Sequence, residues 1–142
     1  MVFEGVADGH AVSMDAKAPI GKSSAPTPKE LVALGLGGCT AMDVIALLKK
    51  YKQLPLAFSV AVETTPSQGR QPVVFESATI VFFVSGQIEP QKLIEAVTLS
   101  QTKYCGVSAM LSQAFPIHYR IELNGAEIGA GQSTFNHPLE EK

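Results

Sequence analysis

The sequence predicts an α+β fold in which antiparallel sheets wrap around one long, buried central helix. Two observations carry that reading. Segments with strand-like alternation form runs at the start, middle and end of the chain, with helical segments gathered between them. One helical segment, over about residues 28–52, is apolar on nearly every face, and such a helix is covered all round.

The elements follow in order. His10 to Asp15 alternates and, with Gly5 and Gly9 nearby, predicts a small hairpin or meander. Ala16 to Pro28 is rich in Pro, Ser, Gly and Ala and predicts a loop. Thr27 and Glu30 have capping-box spacing around Pro28, so the long helix starts there. Leu31, Val32, Leu34, Leu36, Met42, Val44, Ile45, Leu47 and Leu48 leave it almost no polar face before Lys49. Gly35, Gly37 and Gly38 lower its helix propensity and are expected to admit another backbone beside Cys39. Residues 57–64 and 73–85 predict two antiparallel strands joined by a Pro- and Gly-containing turn. A helix begins near Glu89-Pro90, breaks at Ser100 to Lys103, and gives way to a short second helix carrying Cys105. Pro116 stops it, and Ile117 to Leu123 predicts a strand. The chain is expected to hold one domain over residues 1–124, followed by a loose tail over 125–142.

Composition narrows the function. Charged residues are 17% of the chain and hydrophobic ones 46%, so a second subunit is expected to cover apolar surface. The net charge of −2 and two lone arginines, Arg70 and Arg120, give no basic face for nucleic acid. No unbroken apolar run approaches the roughly 20 residues of a membrane span, and the first residues do not read as a secretory signal. A cytoplasmic location is the resulting expectation.

Two cysteines remain, Cys39 and Cys105. In a reducing compartment they are either buried thiols acting as small hydrophobes or a redox pair. Asp43 lies four residues after Cys39, on the same helical face. An unpaired carboxylate there disfavours a thiolate, and a buried one needs a partner. Cys105 falls where a helix starts, a place where backbone N–H groups favour a thiolate, with Lys103 and Tyr104 beside it.

The segment Pro26-Thr27-Pro28-Lys29-Glu30-Leu31-Val32, followed by Gly37-Gly38-Cys39, resembles the first cysteine motif of the OsmC/Ohr family. Lys103-Tyr104-Cys105-Gly106-Val107 resembles the second, and the order of elements matches up to about Leu123. The resemblance implies an OsmC-like fold, an intertwined homodimer and two sites at its interface. It implies a peroxidase in which Cys39 attacks an organic hydroperoxide and Cys105 resolves the sulfenic acid to a disulfide. A dithiol then reduces that disulfide. The family's peroxidases also use an arginine on the first hairpin and a glutamate before the helix. This chain has no arginine before Arg70, carries Lys29 at the glutamate position, and has Glu30 one place displaced. Its Gly-Gly-Cys-x-x-x-Asp pattern and its Gly9-His10 pair resemble the YhfA-type branch of the family. Asp43, Tyr104, Lys103, Glu30 and His10 are therefore the supporting residues expected around the cysteines.

The alternative is a non-catalytic homodimer that holds an apolar or thiol-containing metabolite between its subunits. A redox sensor using the same pair is a third reading, although no C-x-x-C motif is present. No cofactor is expected, and a metal site built from Cys39, Cys105 and a histidine ranks last by spacing.

Overall fold

The computed structural model describes residues 1–136; His137 and the rest of the expected tail lie outside the described residues. The chain divides into two compact units, Met1–Gly35 and Leu36–Lys142.

In the first unit, β1 (Val2–Ala7) and β2 (His10–Asp15) form the expected antiparallel hairpin, in register from Val2↔Asp15 to Ala7↔His10. Asp8 and Gly9 turn the chain at φ of 52° and 79°, the left-handed pair that matches strand twist in a tight hairpin. The Pro-rich loop that follows is fixed by one carboxylate. Asp15 accepts from the backbone N–H of Ala16 (2.8 Å), Lys22 (3.1 Å) and Ser24 (3.1 Å) and from the Ser24 hydroxyl (2.8 Å). A Cβ at Gly21 would strike the Ala16 carbonyl and that same carboxylate, so this position requires glycine. The capping box forms as the spacing predicts. Thr27 N–H donates to the Glu30 carboxylate at 2.8 Å, and Glu30 N–H donates to the Thr27 hydroxyl at 3.2 Å.

From that cap runs α1 (Pro28–Lys50). With a mean hydropathy of 2.0 over its most apolar stretch, it is long and apolar enough to cross a membrane by length and composition alone. That exceeds what the unbroken apolar runs of the sequence suggest, because Gly35, Gly37-Gly38, Thr40 and Asp43 interrupt the run only briefly. In the folded chain it is a core helix along one stripe: Leu36, Gly37, Thr40, Val44 and Leu48 are buried. The expectation of burial on all faces does not hold within one chain. Met42 is 75% exposed and Leu34 62%, since the chain supplies a layer on one side only. The middle glycines also differ from expectation. A Cβ on Gly37 would meet the Val62 side chain at 3.0 Å, and Gly38 faces open space, so a side chain rather than a backbone uses the gap at Gly37.

The second unit holds a four-stranded sheet in the order β3-β4-β5-β6. Here β3 is Ala57–Pro66, β4 Phe75–Ser85, β5 Ile117–Leu123 and β6 Ala126–Gln132. Alternation places Ala78, Ile80, Phe82 and Val84 of β4 and Ile117, Tyr119, Ile121 and Leu123 of β5 in the core cluster. They pack with Leu36, Val44 and Leu48 of α1 and with Leu93, Ala96 and Val97 of α2 (Pro90–Leu99). Each large apolar side chain buried this way contributes roughly 1.5–3 kcal/mol.

Three further expectations are corrected. The sheet is mixed: β4 and β5 run parallel, because the helical crossover between them returns the chain to its starting edge. Ser100 to Lys103 is not a break but part of a π-helical turn, Ser100–Tyr104, continuous with α2 and followed by α3 (Gly106–Leu111). Finally, residues 126–132 of the expected loose tail form β6. An Asn124-Gly125 turn at φ of 52° and 82° folds them back onto β5. The glycines that made this segment look irregular are where β5 side chains lie. The Tyr119 ring covers Gly131, and a Cβ on Gly129 would meet Ile121 at 3.4 Å and Ile94 of α2 at 3.5 Å.

Candidate functional site

Helical spacing puts Cys39 and Asp43 one turn apart on α1. The π-turn and the start of α3 then bring Cys105 to them. The two sulfurs and a carboxylate oxygen of Asp43 all lie within 4.8 Å of one another. Both cysteines are thiols; Cys39 is half-buried and Cys105 fully buried.

Cys105 caps α3, with its sulfur accepting from the Ser108 N–H at 3.3 Å. The helix start was expected to favour a thiolate. Burial outweighs it and pushes the Cys105 thiol up to about 11, although Ser108, whose N–H reaches the sulfur, pulls the other way. The nearby Cys39 sulfur adds to the rise. A six-residue helix has little dipole to set against desolvation. The Ser108 hydroxyl is buried without completing a hydrogen bond among the described residues.

Asp43 has a partner that the sequence reading did not find. The Ser100 hydroxyl donates to its carboxylate at 3.0 Å, so that hydroxyl must accept from Thr40, whose oxygen is 2.8 Å away. Thr40 in turn accepts from the Gln101 side-chain N–H at 2.8 Å, and the Gln101 carbonyl accepts from the Ser133 hydroxyl. Every donor in this buried chain points the same way, towards the carboxylate, an arrangement in which each bond polarises the next. The π-turn makes it possible. Its Cys105 N–H donates to the Ser100 carbonyl at 2.9 Å, the wider step that turns both Ser100 and Gln101 inward. The residue types were visible in the sequence, but nothing in their spacing links Thr40 to Ser133.

The other expected residues are placed as follows. Tyr104 follows Lys103 on the π-turn and is 49% exposed, with the Lys103 ammonium 5.4 Å from its ring centroid. Glu30 and His10 belong to the N-terminal unit. Glu30 is engaged in the helix cap and in a 2.8 Å ion pair with Lys17, which hold its carboxyl below the usual range. His10 begins β2, opposite Ala7, and is exposed. Within the second unit, the structure thus brings together Cys39, Asp43 and Cys105.

Comparison with known proteins gives a consistent result. The sequence profile of the OsmC-like protein family matches residues 21–120. Protein YhfA of Escherichia coli K12 is 33% identical over 121 residues, covering 84% of this chain and 87% of that one. Among solved structures, an OsmC-like protein from Mycoplasma pneumoniae superposes with a TM-score of 0.74 at 12% identity, over 84% of this chain and 86% of that one. An organic hydroperoxide resistance protein from Legionella pneumophila gives a TM-score of 0.60 at 12% identity, over 87% and 94%.

Proposed function

The chain belongs to the OsmC-like family, and from that premise we propose that it is a thiol-dependent hydroperoxide reductase with Cys39 as the peroxidatic and Cys105 as the resolving cysteine. The observation that carries the reading is the pairing of a half-buried thiol with a fully buried one inside a 4.8 Å cluster. Cys39 is the thiol that solvent reaches, whereas Cys105 is buried.

The chemistry proceeds in three balanced steps. The Cys39 thiolate attacks the outer oxygen of a hydroperoxide, the O–O bond breaks, and an alkoxide leaves and takes a proton to become an alcohol. Cys39 is then a sulfenic acid. The Cys105 sulfur attacks the Cys39 sulfur, and the displaced hydroxide carries off the Cys105 proton as water. A dithiol reductant finally exchanges through a mixed disulfide, restoring both thiols while it is oxidised itself. Burial suits Cys105 to this order of events, since a thiol held up to about 11 does not compete with Cys39 for peroxide at neutral pH. Organic hydroperoxides are the substrate class suggested by similar solved structures, such as the organic hydroperoxide resistance protein from Legionella pneumophila. The exposed face of α1, with Met42 and Leu34, is where a second copy of the chain would pack in a homodimer.

The test is to treat the reduced, chelator-washed protein with stoichiometric cumene hydroperoxide or hydrogen peroxide and to map the products by mass spectrometry. A Cys39–Cys105 disulfide should form, faster with the organic peroxide, and Cys39→Ser should slow thiol loss at least roughly 100-fold. Survival of both thiols through the exposure would refute the catalytic reading. It would leave a homodimer that binds a small apolar or thiol-containing ligand.

A further inference from the structure

The same cluster has a property that peroxide chemistry does not require. Two sulfurs and one carboxylate oxygen, all within 4.8 Å, form a donor set for a thiophilic divalent cation. We propose that the reduced protein binds one Zn²⁺-type ion per chain through Cys39, Cys105 and Asp43, with the fourth position open. Asp43 replaces the histidine that the sequence spacing offered as third ligand.

Geometry supports it first. With Zn–S near ~2.3 Å, ligand atoms of a tetrahedral site lie about 3.5–4 Å apart, so the cluster needs an inward shift of about 1 Å at most. Cys39 and Asp43 share one face of a continuous helix, and Cys105 is fixed at the end of the π-turn. The surroundings support it second. Metal-binding carboxylates are usually held by hydrogen bonds from an outer shell. Here the Ser133–Gln101–Thr40–Ser100 chain ends on Asp43 and orients it with every donor aligned. Only one of the several acceptor sites of the carboxylate is occupied by that bond.

A third observation concerns Ser108. Its hydroxyl is buried and short of hydrogen-bond geometry with any partner among the described residues, and its own N–H donates to the Cys105 sulfur. A neutral thiol is a weak acceptor. A metal-bound thiolate carries the negative charge that would draw in this hydroxyl, alongside the bond the sulfur already takes from the Ser108 N–H. Binding is balanced as one divalent cation exchanged for two protons, one from each thiol, with a carboxylate oxygen of Asp43 as the third ligand. The half-buried side of Cys39 leaves the fourth position for water or an incoming thiol.

A metal held there occupies both sulfurs, so it suppresses disulfide formation. The two chemistries compete for the same thiols, but the metal site does not depend on peroxidase activity. The experiment is an anaerobic Co²⁺ titration of the reduced full-length protein, followed by Zn²⁺ displacement against a chromophoric chelator. One Co²⁺ per chain should bind, with a sulfur-to-cobalt charge-transfer band and the intense visible bands of a tetrahedral site. Cys39→Ser and Cys105→Ser should each weaken Zn²⁺ by roughly 100-fold or more. Asp43→Asn keeps both thiols and should weaken it by about 10–100-fold, and Ser100→Ala by about tenfold. Circular dichroism confirms that each variant is folded. Absence of the charge-transfer band, or Zn²⁺ affinity unchanged in Asp43→Asn, would overturn the proposal. Peroxide oxidation of the chelator-washed protein is read separately, so failure of the metal site and failure of the peroxidase reading are distinguishable.

Discussion

Asp15 and Asp43 are both withdrawn from solvent, the first buried and the second half-buried, yet the fold treats them oppositely. Asp15 is saturated. It takes three backbone N–H groups and one hydroxyl, lies 3.5 Å from the terminal ammonium, and is held well below the usual carboxylate range, chiefly by Ser24. Among the described residues Asp43 takes one side-chain hydrogen bond, from Ser100, and it lies beside two sulfurs. A carboxylate whose lone pairs are all used is a structural post, whereas one with acceptor capacity remaining is free to meet a proton or a metal. The difference lies in where the donors come from. A Pro- and Ser-rich loop can curl its own N–H groups around Asp15, but a helix interior has none to offer Asp43.

Substitutions can break this contrast, starting with the largest effect. Asp15→Ala should strip four donors of their common acceptor and loosen the whole Ala16–Thr27 loop. The melting temperature should fall by many degrees, and proteolysis at Lys17 and Lys22 should begin. Gly21→Ala should do nearly as much without touching a charge, because the new Cβ meets the Ala16 carbonyl and the Asp15 carboxylate. A smaller loss on proteolysis than for Asp15→Ala would still confirm the crowding; no loss would refute it. Ser100→Ala should cost about 1–3 kcal/mol in urea unfolding, since it leaves the Thr40 hydroxyl buried without an acceptor. Asp43→Asn, which keeps an acceptor for Ser100, should cost under about 1 kcal/mol while changing metal affinity strongly. A stability loss as large as that of Asp15→Ala would make Asp43 a structural residue and erase the contrast.

pH sharpens it further. The lowered pKa of Asp15 contributes stability that is present above the ordinary value of 3.8 and is lost as pH falls below it. Amide exchange at Lys22 and Ser24 should therefore accelerate in acid before the sheet opens. Cys105 has the opposite sign. Its neutral thiol contributes stability below the ordinary value of 9, and this is lost as pH rises towards about 11. Thiolate absorbance should show that late titration, and Cys39→Ser should bring it lower, because the Cys39 sulfur contributes to the rise.

How much of this was legible depends on the range of the interaction. The Thr27–Glu30 cap, the Asp8-Gly9 hairpin region and the Cys39–Asp43 spacing each involve residues within four positions of one another, and each formed as the sequence indicated. β6 was missed because its two internal glycines look like breakers until the Tyr119 ring and Ile94 are laid over them. The hydroxyl chain was missed for the same reason, since Thr40 and Gln101 are 61 positions apart and meet only through the π-turn.

The sequence by itself determined the family, the α+β class, the long apolar helix and the two thiols, because periodicity, capping and motif are local properties of a chain. Tertiary structure alone decided that β4 and β5 run parallel, that one side of α1 is left uncovered, and that Cys105 stays a neutral thiol. It also decided that Asp43 stands beside both sulfurs with spare capacity. Those outcomes depend on desolvation and on distances between residues far apart in sequence, and both come into being only when the chain has packed.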